Sequence, residues 1–487
     1  MNIDKISKST APKEKALNSL NLKNNMKILA KRYFSIEDAH QFSMISGDRN
    51  PIHLDTKIAR RSVHGECILQ GILGVLWGLE VFVSETNIIP TNLKIKFLKP
   101  IFFNSEIECK WDQNTKIIYL EANGFKLFSI QYAEGVLKRS REKVLNKNSS
   151  MEYPDNPSFE QCIKMQNSIF PLVGDIGPID EMFPTIVGKY GKNAIYEFAA
   201  LSTIVGMKNP GLNSLFIAID VNFQMSKHNK SSFSLLSYDS RFNLIKLKFE
   251  ATTMIGTITA LYLPITKPGL EASEIKKSIS PKIFEEVNAL IIGGSRGVGE
   301  IVAKIISMGG GRVTITYKVG FADAESIRNE IASEGGLCQI RQFSIDSNPK
   351  NLLSSNNFNQ IYYFASPKIL NEKSKALEDL EMKYRKYFIT AFQNVCFEIV
   401  RLGLKPSIFY PSTSYVSHPE PSYEIYSRIK NQGEIFCKDF SDSHALKIQS
   451  PRLPRIETDQ TRSILIEKFE DPIQILFPLL LKMRNKS

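Results

Sequence analysis

The ten residues SGDRNPIHLD, Ser46–Asp55, bring two carboxylates, an amide and one of the chain's six histidines around a single proline. If the loop is compact, Asp48 and His53 reach one point. A carboxylate beside an imidazole can bind one water, orient it and move its protons. Asn50 can hold the loop or contact a ligand. Gly71 follows at the start of an apolar helix, where a backbone N–H and the positive helix end can stabilise negative charge on a substrate oxygen. Taken alone, such a loop is more often a capped turn around a satisfied histidine. Two further clusters lie in the C-terminal half of the chain. GGSRGVG, residues 293–299, has the glycines that let a backbone approach a pyrophosphate. Tyr426 and Lys430 are spaced i, i+4, on one helix face, and the hydroxyls Ser412, Thr413 and Ser414 precede them. There Lys430 can lower the phenol pKa of Tyr426 and prepare it to exchange a proton with a carbinol oxygen.

The elements that must position these groups fall into three blocks, 30–140, 158–266 and 283–487. They are divided by two polar stretches rich in charge, Ser and Pro, Lys138–Ser158 and Thr266–Lys282. Residues 1–29 form a polar N-terminal segment. In the first block, Ser35 can cap a helix with Asp38 at its third position. ILQGILGVLWGLEVFV (68–83) is apolar almost all round and must be buried on all sides. Alternating strands follow, so a sheet wrapped around a helix is expected. The second block repeats the order with a helix over 194–207, a Pro210-Gly211 turn and a strand over 214–223, but has no counterpart of SGDRNPIHLD. The third block alternates strand and helix, which predicts a parallel sheet.

Composition narrows the function classes. At 487 residues the chain is too long for one core. Its formal charge is +12, yet Lys and Arg are scattered and no nucleic-acid motif occurs. A basic surface equally attracts acidic carriers such as coenzyme A or an acyl carrier protein. The six cysteines stand far apart without a CxxC, so a reduced cytoplasmic protein with no Cys-built metal site is expected. No signal-peptide core and no run of about 20 apolar residues is present, so no membrane span is expected.

Through Gly47-Asp48, Asn50-Pro51, His53 and Ala59, the first motif resembles the signature of the (R)-specific enoyl-CoA hydratases, the MaoC-like hot-dog family. The second block resembles a further, degenerate hot-dog repeat. The resemblance implies hydration of a trans-2-enoyl thioester to the (3R)-hydroxyacyl thioester, or the reverse, with Asp48 and His53 holding the water and Asn50 and Gly71 at the substrate. Gln70 stands where the family often has His.

The third block resembles the short-chain dehydrogenases/reductases. That resemblance implies Tyr426 as acid/base, Lys430 on the ribose, and Thr413, Ser412 or Ser414 on the carbonyl, Thr413 having the commonest spacing. It assigns Gly293, Ser295, Arg296, Gly297, Val298, Gly299, Lys318, Asp346 and Ala365 to the cofactor. The chain departs from the pattern at Ile292, where Thr is usual, near Tyr387, where a helical Asn is usual, and in QSPRLPRIETDQT, which matches the family's Pro-Gly…Thr loop only loosely. The second strand ends in Tyr317-Lys318 without an acid for a ribose hydroxyl. Arg296 and Lys318 suit a 2′-phosphate, so NADP(H) is expected.

The expected fold is an α+β double hot-dog followed by an α/β Rossmann-like doubly wound parallel sheet. The expected function is a bifunctional hydratase/dehydratase and NADP(H)-dependent ketoacyl reductase acting on an acyl-CoA or acyl carrier protein thioester. No nucleic-acid, membrane or metal partner is expected, and a homodimer is left open. Two rivals remain. One is a hydratase alone, with the third block as an inert scaffold or carrier-docking module. The other is a reductase alone, with the hot-dog halves as a docking module.

Overall fold

The computed structural model describes residues 26–59, 62, 64–137, 153–224, 231–263, 270–354, 357–369, 377–456, 458 and 470–484. Most of the polar N-terminal segment, most of the stretch 138–158 and part of the QSPRLPRIETDQT segment lie outside them. The chain divides into two compact units, Met1–Ile265 and Thr266–Ser487.

The first unit is built on one ten-stranded sheet. Its strands are β1 (Met26–Tyr33), β2 (Pro90–Phe97), β3 (Glu106–Asp112), β4 (Ile117–Ala122), β5 (Phe125–Glu134), β6 (Ser168–Ile169), β7 (Ser214–Phe223), β8 (Ser232–Asp239), β9 (Leu244–Glu250) and β10 (Met254–Tyr262). The order β1-β3-β4-β5-β2-β7-β10-β9-β8-β6 reads alike from both ends, and every pairing is antiparallel. The seam joins β2 to β7, from Asn92↔Asn222 to Lys96↔Ala218. Along β2, Leu93 and Ile95 are buried while Lys94 and Lys96 point out, the period-2 alternation of a sheet with one covered face. The first strand begins at Met26, inside the stretch expected to be a polar segment.

Five helices of this unit matter for the site: α1 (Ile36–Ser46), α2 (Pro51–Leu54), α3 (Gly71–Thr86), α4 (Pro184–Tyr190) and α5 (Lys192–Thr203). Ser35 caps α1 in a reciprocal box with Asp38. The apolar helix runs over 71–86, three residues later than its hydrophobic stretch suggests, because Ile68 is held in a β-bridge to Phe102. Ile72, Leu73, Val75, Leu76, Leu79, Phe82 and Val83 are all buried. Such burial contributes ~1.5–3 kcal/mol per large side chain before the entropy of ordering is counted. Helix α1 packs on α5, and α4 packs on α3, so the pairing is reciprocal across the seam. Between α1 and α3 lie residues 47–70. Between α4 and α5 lies only Gly191, which leaves no room for a second catalytic loop.

The second unit carries six parallel strands ordered β13-β12-β11-β14-β15-β17. They are β11 (Asn288–Ile292), β12 (Arg312–Tyr317), β13 (Leu337–Gln342), β14 (Gln360–Tyr363), β15 (Ser407–Phe409) and β17 (Ile448–Gln449). Two short strands, β16 (Ser412–Thr413) and β18 (Arg452–Leu453), pair separately. In sequence rank the order is 3-2-1-4-5-6, the doubly wound dinucleotide-binding arrangement. The stretch Thr266–Lys282 is not wholly linker. It holds α6 (Ala272–Ser278), whose Ala272 and Ile275 are buried and whose Ala272 N–H donates to Glu330 at 2.7 Å. The other helices used below are α7 (Gly297–Met308), α8 (Leu377–Arg385), α9 (Ala391–Arg401) and α10 (Glu424–His444). The turn Lys386–Thr390 joins α8 to α9 as a π-helical segment. No helix among the described residues is long and apolar enough to cross a membrane.

Candidate active sites

Gly47 ends α1 with φ +81°, the left-handed conformation that turns the chain into SGDRNPIHLD. Asn50 caps α2 by accepting from the Ile52 N–H at 3.1 Å. Its Nδ2 donates to the carbonyl of Gly206 at 2.9 Å and reaches those of Gly211 and Leu212. Both ends of the amide are thus spent on the fold. Of its two expected roles, Asn50 takes that of holding the loop.

Asp48 is 1% exposed. Its Oδ1 accepts from the Asn50 N–H at 3.0 Å and its Oδ2 from the Ser202 hydroxyl at 2.5 Å. A Cβ on Gly206 would lie 2.6 Å from Oδ1, so only glycine lets that backbone pass the carboxylate. His53 donates from Nδ1 to the Ile68 carbonyl at 2.8 Å, since a carbonyl can only accept. That bond leaves Nε2 as the acceptor of the neutral ring, facing Asp48 Oδ2 at 3.8 Å. The gap is too long for a direct hydrogen bond and suits one water held by both.

Gly71 is the first residue of α3, and Gln70 before it provides no side-chain cap. The ring of Phe97 lies over it, 2.8 Å from where a Cβ would stand. Gln70 donates to the Ala39 carbonyl at 3.1 Å, while its Oε1 is buried without a hydrogen-bond partner.

The sequence reading missed Ser202, Thr203 and Gly206, all from the second half of the unit. Thr203 donates to the Ser46 carbonyl at 2.6 Å. No local pattern marks these residues, because their partners lie more than 150 positions away.

In the second unit, Gly293 has φ +83° and a Cβ there would stand 2.6 Å from the Ala365 nitrogen. A Cβ on Gly299 would lie 2.5 Å from the Gly293 carbonyl oxygen. Arg296 is the N-cap of α7 but supplies no side-chain cap, and Gly297 follows with φ +64°. Ser295, Val298 and Ala365 are partly accessible around the same turn. This tight, uncapped helix start fits a dinucleotide pyrophosphate. Lys318 pairs with Asp346 at 3.3 Å, and Lys386 pairs with the other oxygen of Asp346 at 2.6 Å.

Of the three clustered hydroxyls, Thr413 is the one hydrogen-bonded to Tyr426. Alternation along β16 turns Ser412 the other way, onto Glu434, which Arg452 also grips at 2.7 Å. Ser414 begins the 3-10 turn Ser414–Val416. Tyr426 is packed edge-on by Tyr384 and Phe388, with centroids 5.8 and 5.6 Å away. Burial holds its phenol well above the usual range; the neighbouring Tyr384 adds to this and the Thr413 bond opposes it.

The expected tuning of Tyr426 by Lys430 is not present. The Lys430 ammonium donates to the Pro411 carbonyl and lies over the Phe388 and Tyr410 rings at 4.3 and 4.5 Å. Burial pushes it down to about 7, with Cys437 and Glu434 opposing. Between pH ~7 and the ordinary lysine value of 10.5 the unfolded chain binds the extra proton, so stability rises with pH through that window. Lys430→Met should therefore gain more unfolding free energy relative to the parent near pH 6 than near pH 10, by at least ~1 kcal/mol. Denaturant titrations at the two pH values test this; an equal change at both contradicts it.

Residues 17–123 match the family model described as MaoC like domain. No curated protein matches the chain. The chain is similar to the 3-oxoacyl (acyl-carrier-protein) reductase from Agrobacterium tumefaciens C58 with NADP bound, at 14% identity over 40% of this chain and 78% of that one, TM-score 0.32. It is similar to the oxidoreductase yciK from E. coli, at 14% identity over 42% and 91%, TM-score 0.37. It is also similar to a short chain dehydrogenase from Burkholderia cenocepacia J2315 in complex with NADP, at 16% identity over 37% and 78%, TM-score 0.33. The chain carries a MaoC-like domain, and its structural neighbours include proteins described as short-chain dehydrogenases.

Proposed function

We propose that the chain is a bifunctional enzyme of acyl-thioester metabolism. Its first unit is a double hot-dog, with halves near 30–140 and 158–266, that interconverts trans-2-enoyl and (3R)-hydroxyacyl thioesters. Its second unit, from about 283 to the C-terminus, is an NADP(H)-dependent ketoacyl reductase. The carrier is coenzyme A or an acyl carrier protein. The observation that carries the reading is the Asp48–His53 pair, 3.8 Å apart, with its carboxylate buried, its imidazole partly exposed and its histidine tautomer set by Ile68.

In hydration, His53 Nε2 takes a proton from the water as its oxygen bonds to C3. His53 Nε2 then gives that proton to C2, and the C2=C3 double bond is consumed. The Gly71 N–H faces the negative charge that develops on the thioester oxygen. Asp48, held by Ser202 and the Asn50 N–H, stays an acceptor and orients the water.

Ser202→Ala should lower kcat for hydration about tenfold or more with little change in KM, because a charged acceptor loses a donor. Ser202→Thr should restore most of it. Unchanged kcat in the alanine variant, or a loss confined to KM, contradicts this role.

In reduction, Gly293, Ser295, Gly297, Val298 and Gly299 would hold the pyrophosphate, Ala365 would border the cofactor, and Arg296 and Lys318 would meet a 2′-phosphate. Bound NADPH supplies the hydride. Tyr426 gives its proton to the developing alkoxide, with Thr413 beside it. Burial keeps the phenol protonated near neutral pH, the state that a proton donor in reduction needs.

The seating of Lys430 on Pro411 favours a second reading, in which only the hydratase turns over and the second unit is a scaffold. The test is whether the purified chain reduces acetoacetyl-CoA with NADPH and dehydrates the product.

A further inference from the structure

The Lys318–Asp346–Lys386 cluster sits where the reductase reading places the cofactor's 2′-phosphate. Lys318 directly follows β12, and its backbone is fixed there by Gln342, which donates to its carbonyl at 3.2 Å. Asp346 is built onto the same sheet end by a small turn, its N–H donating to Ser344 Oγ at 3.3 Å. Its two oxygens are divided between partners. Oδ2 takes the Lys318 ammonium at 3.3 Å and the Ser344 hydroxyl at 3.2 Å, and Oδ1 takes Lys386 at 2.6 Å.

Lys386 is delivered from a different element. It opens the π-helical turn Lys386–Thr390, and two tyrosines, Tyr363 in β14 and Tyr410 just after β15, pin that turn. Tyr363 donates to the Tyr387 carbonyl at 2.8 Å and Tyr410 to the Phe388 carbonyl at 3.0 Å. All three charged side chains are about half exposed, so none is committed to the core.

An anion can recruit Lys318 only by drawing its ammonium off Asp346. How tightly Asp346 holds on depends on what else neutralises it. Lys386 is its closer partner and the largest cause of its lowered carboxyl pKa, ahead of Lys318. We propose that Asp346 and Lys386 set the cofactor specificity together: Asp346 competes with the 2′-phosphate for Lys318, and Lys386 weakens that competition by keeping Asp346 neutralised when Lys318 leaves. Lys386 thus acts through Asp346 rather than by touching the cofactor. The inference rests on the NADP(H) reading and adds two positioning residues to it.

The test is equilibrium binding of NADPH and NADH to the full chain, by fluorescence titration or calorimetry, for the parent, Asp346→Asn, Lys386→Gln and the double variant. Exposed ion pairs are weak, so the expected changes are about two- to fivefold. Relative to NADH, Asp346→Asn should tighten NADPH and Lys386→Gln should weaken it. The double variant should match Asp346→Asn, because without the carboxylate Lys386 has nothing to neutralise. If Lys386→Gln weakens NADPH equally in the Asp346→Asn background, Lys386 acts by its own charge and the inference fails. It also fails if Asp346→Asn leaves the preference for NADPH over NADH unchanged or smaller, although the cofactor reading then stands. A parent chain that binds neither dinucleotide overturns the cofactor reading, and this inference with it.

Discussion

Asp48→Asn and His53→Ala each cut enoyl-thioester hydration by ~10²–10⁴-fold, while reduction of a ketoacyl thioester continues at the parent's rate. The asparagine keeps the size and the Asn50 N–H contact of the carboxylate, so the loop survives. What it loses is the second acceptor: with the amide oxygen kept on the Asn50 N–H, an NH2 donor faces Ser202 and the water. Alanine at 53 removes the ring nitrogen that faces Asp48 and is placed to take the water's proton. Its contact with Ile68 is also lost, so the variant's folding should be checked by the melting of the first unit. Enoyl-thioester absorbance reports the rate directly. Hydration near the parent's rate in either variant would falsify the assignment of the pair.

Tyr426→Phe abolishes ketoacyl-thioester reduction while hydration and NADPH binding persist. The hydroxyl is the one proton donor beside Thr413 at the expected carbonyl position, and phenylalanine keeps the ring that packs on Tyr384 and Phe388. Removing a buried hydroxyl leaves Thr413 its bond from the Tyr415 N–H at 3.3 Å. NADPH oxidation that survives in Tyr426→Phe places the chemistry elsewhere.

The local parts of both sites were legible in the sequence. The Ser35–Asp38 box, the strand Ser214–Phe223 and the glycine turn before α7 each depend on neighbours within a few residues, and each forms where its pattern lies. The hydroxyl cluster was legible as a cluster only. Which member faces Tyr426 is decided by the pairing of β16 with β18, which no spacing reveals. Ser202 lay beyond reach for the same reason, since its role exists only once α5 packs on α1. The Tyr426–Lys430 spacing placed both side chains on one helix face. It could not show that the Pro411 carbonyl and two aromatic rings would take the ammonium instead of the phenol. The helix Ala272–Ser278 escaped notice because a seven-residue helix with two buried apolar positions has too short a period to stand out from a charged linker.

The most direct test of the two-site account is the product mixture formed from acetoacetyl-CoA and NADPH by the purified full chain, resolved by chiral chromatography. The account predicts oxidation of NADPH, a 3-hydroxybutyryl-CoA of the (3R) configuration only, and crotonyl-CoA accumulating behind it until the two equilibrate. No oxidation of NADPH, a (3S) product, or a (3R) product that never yields crotonyl-CoA would contradict it.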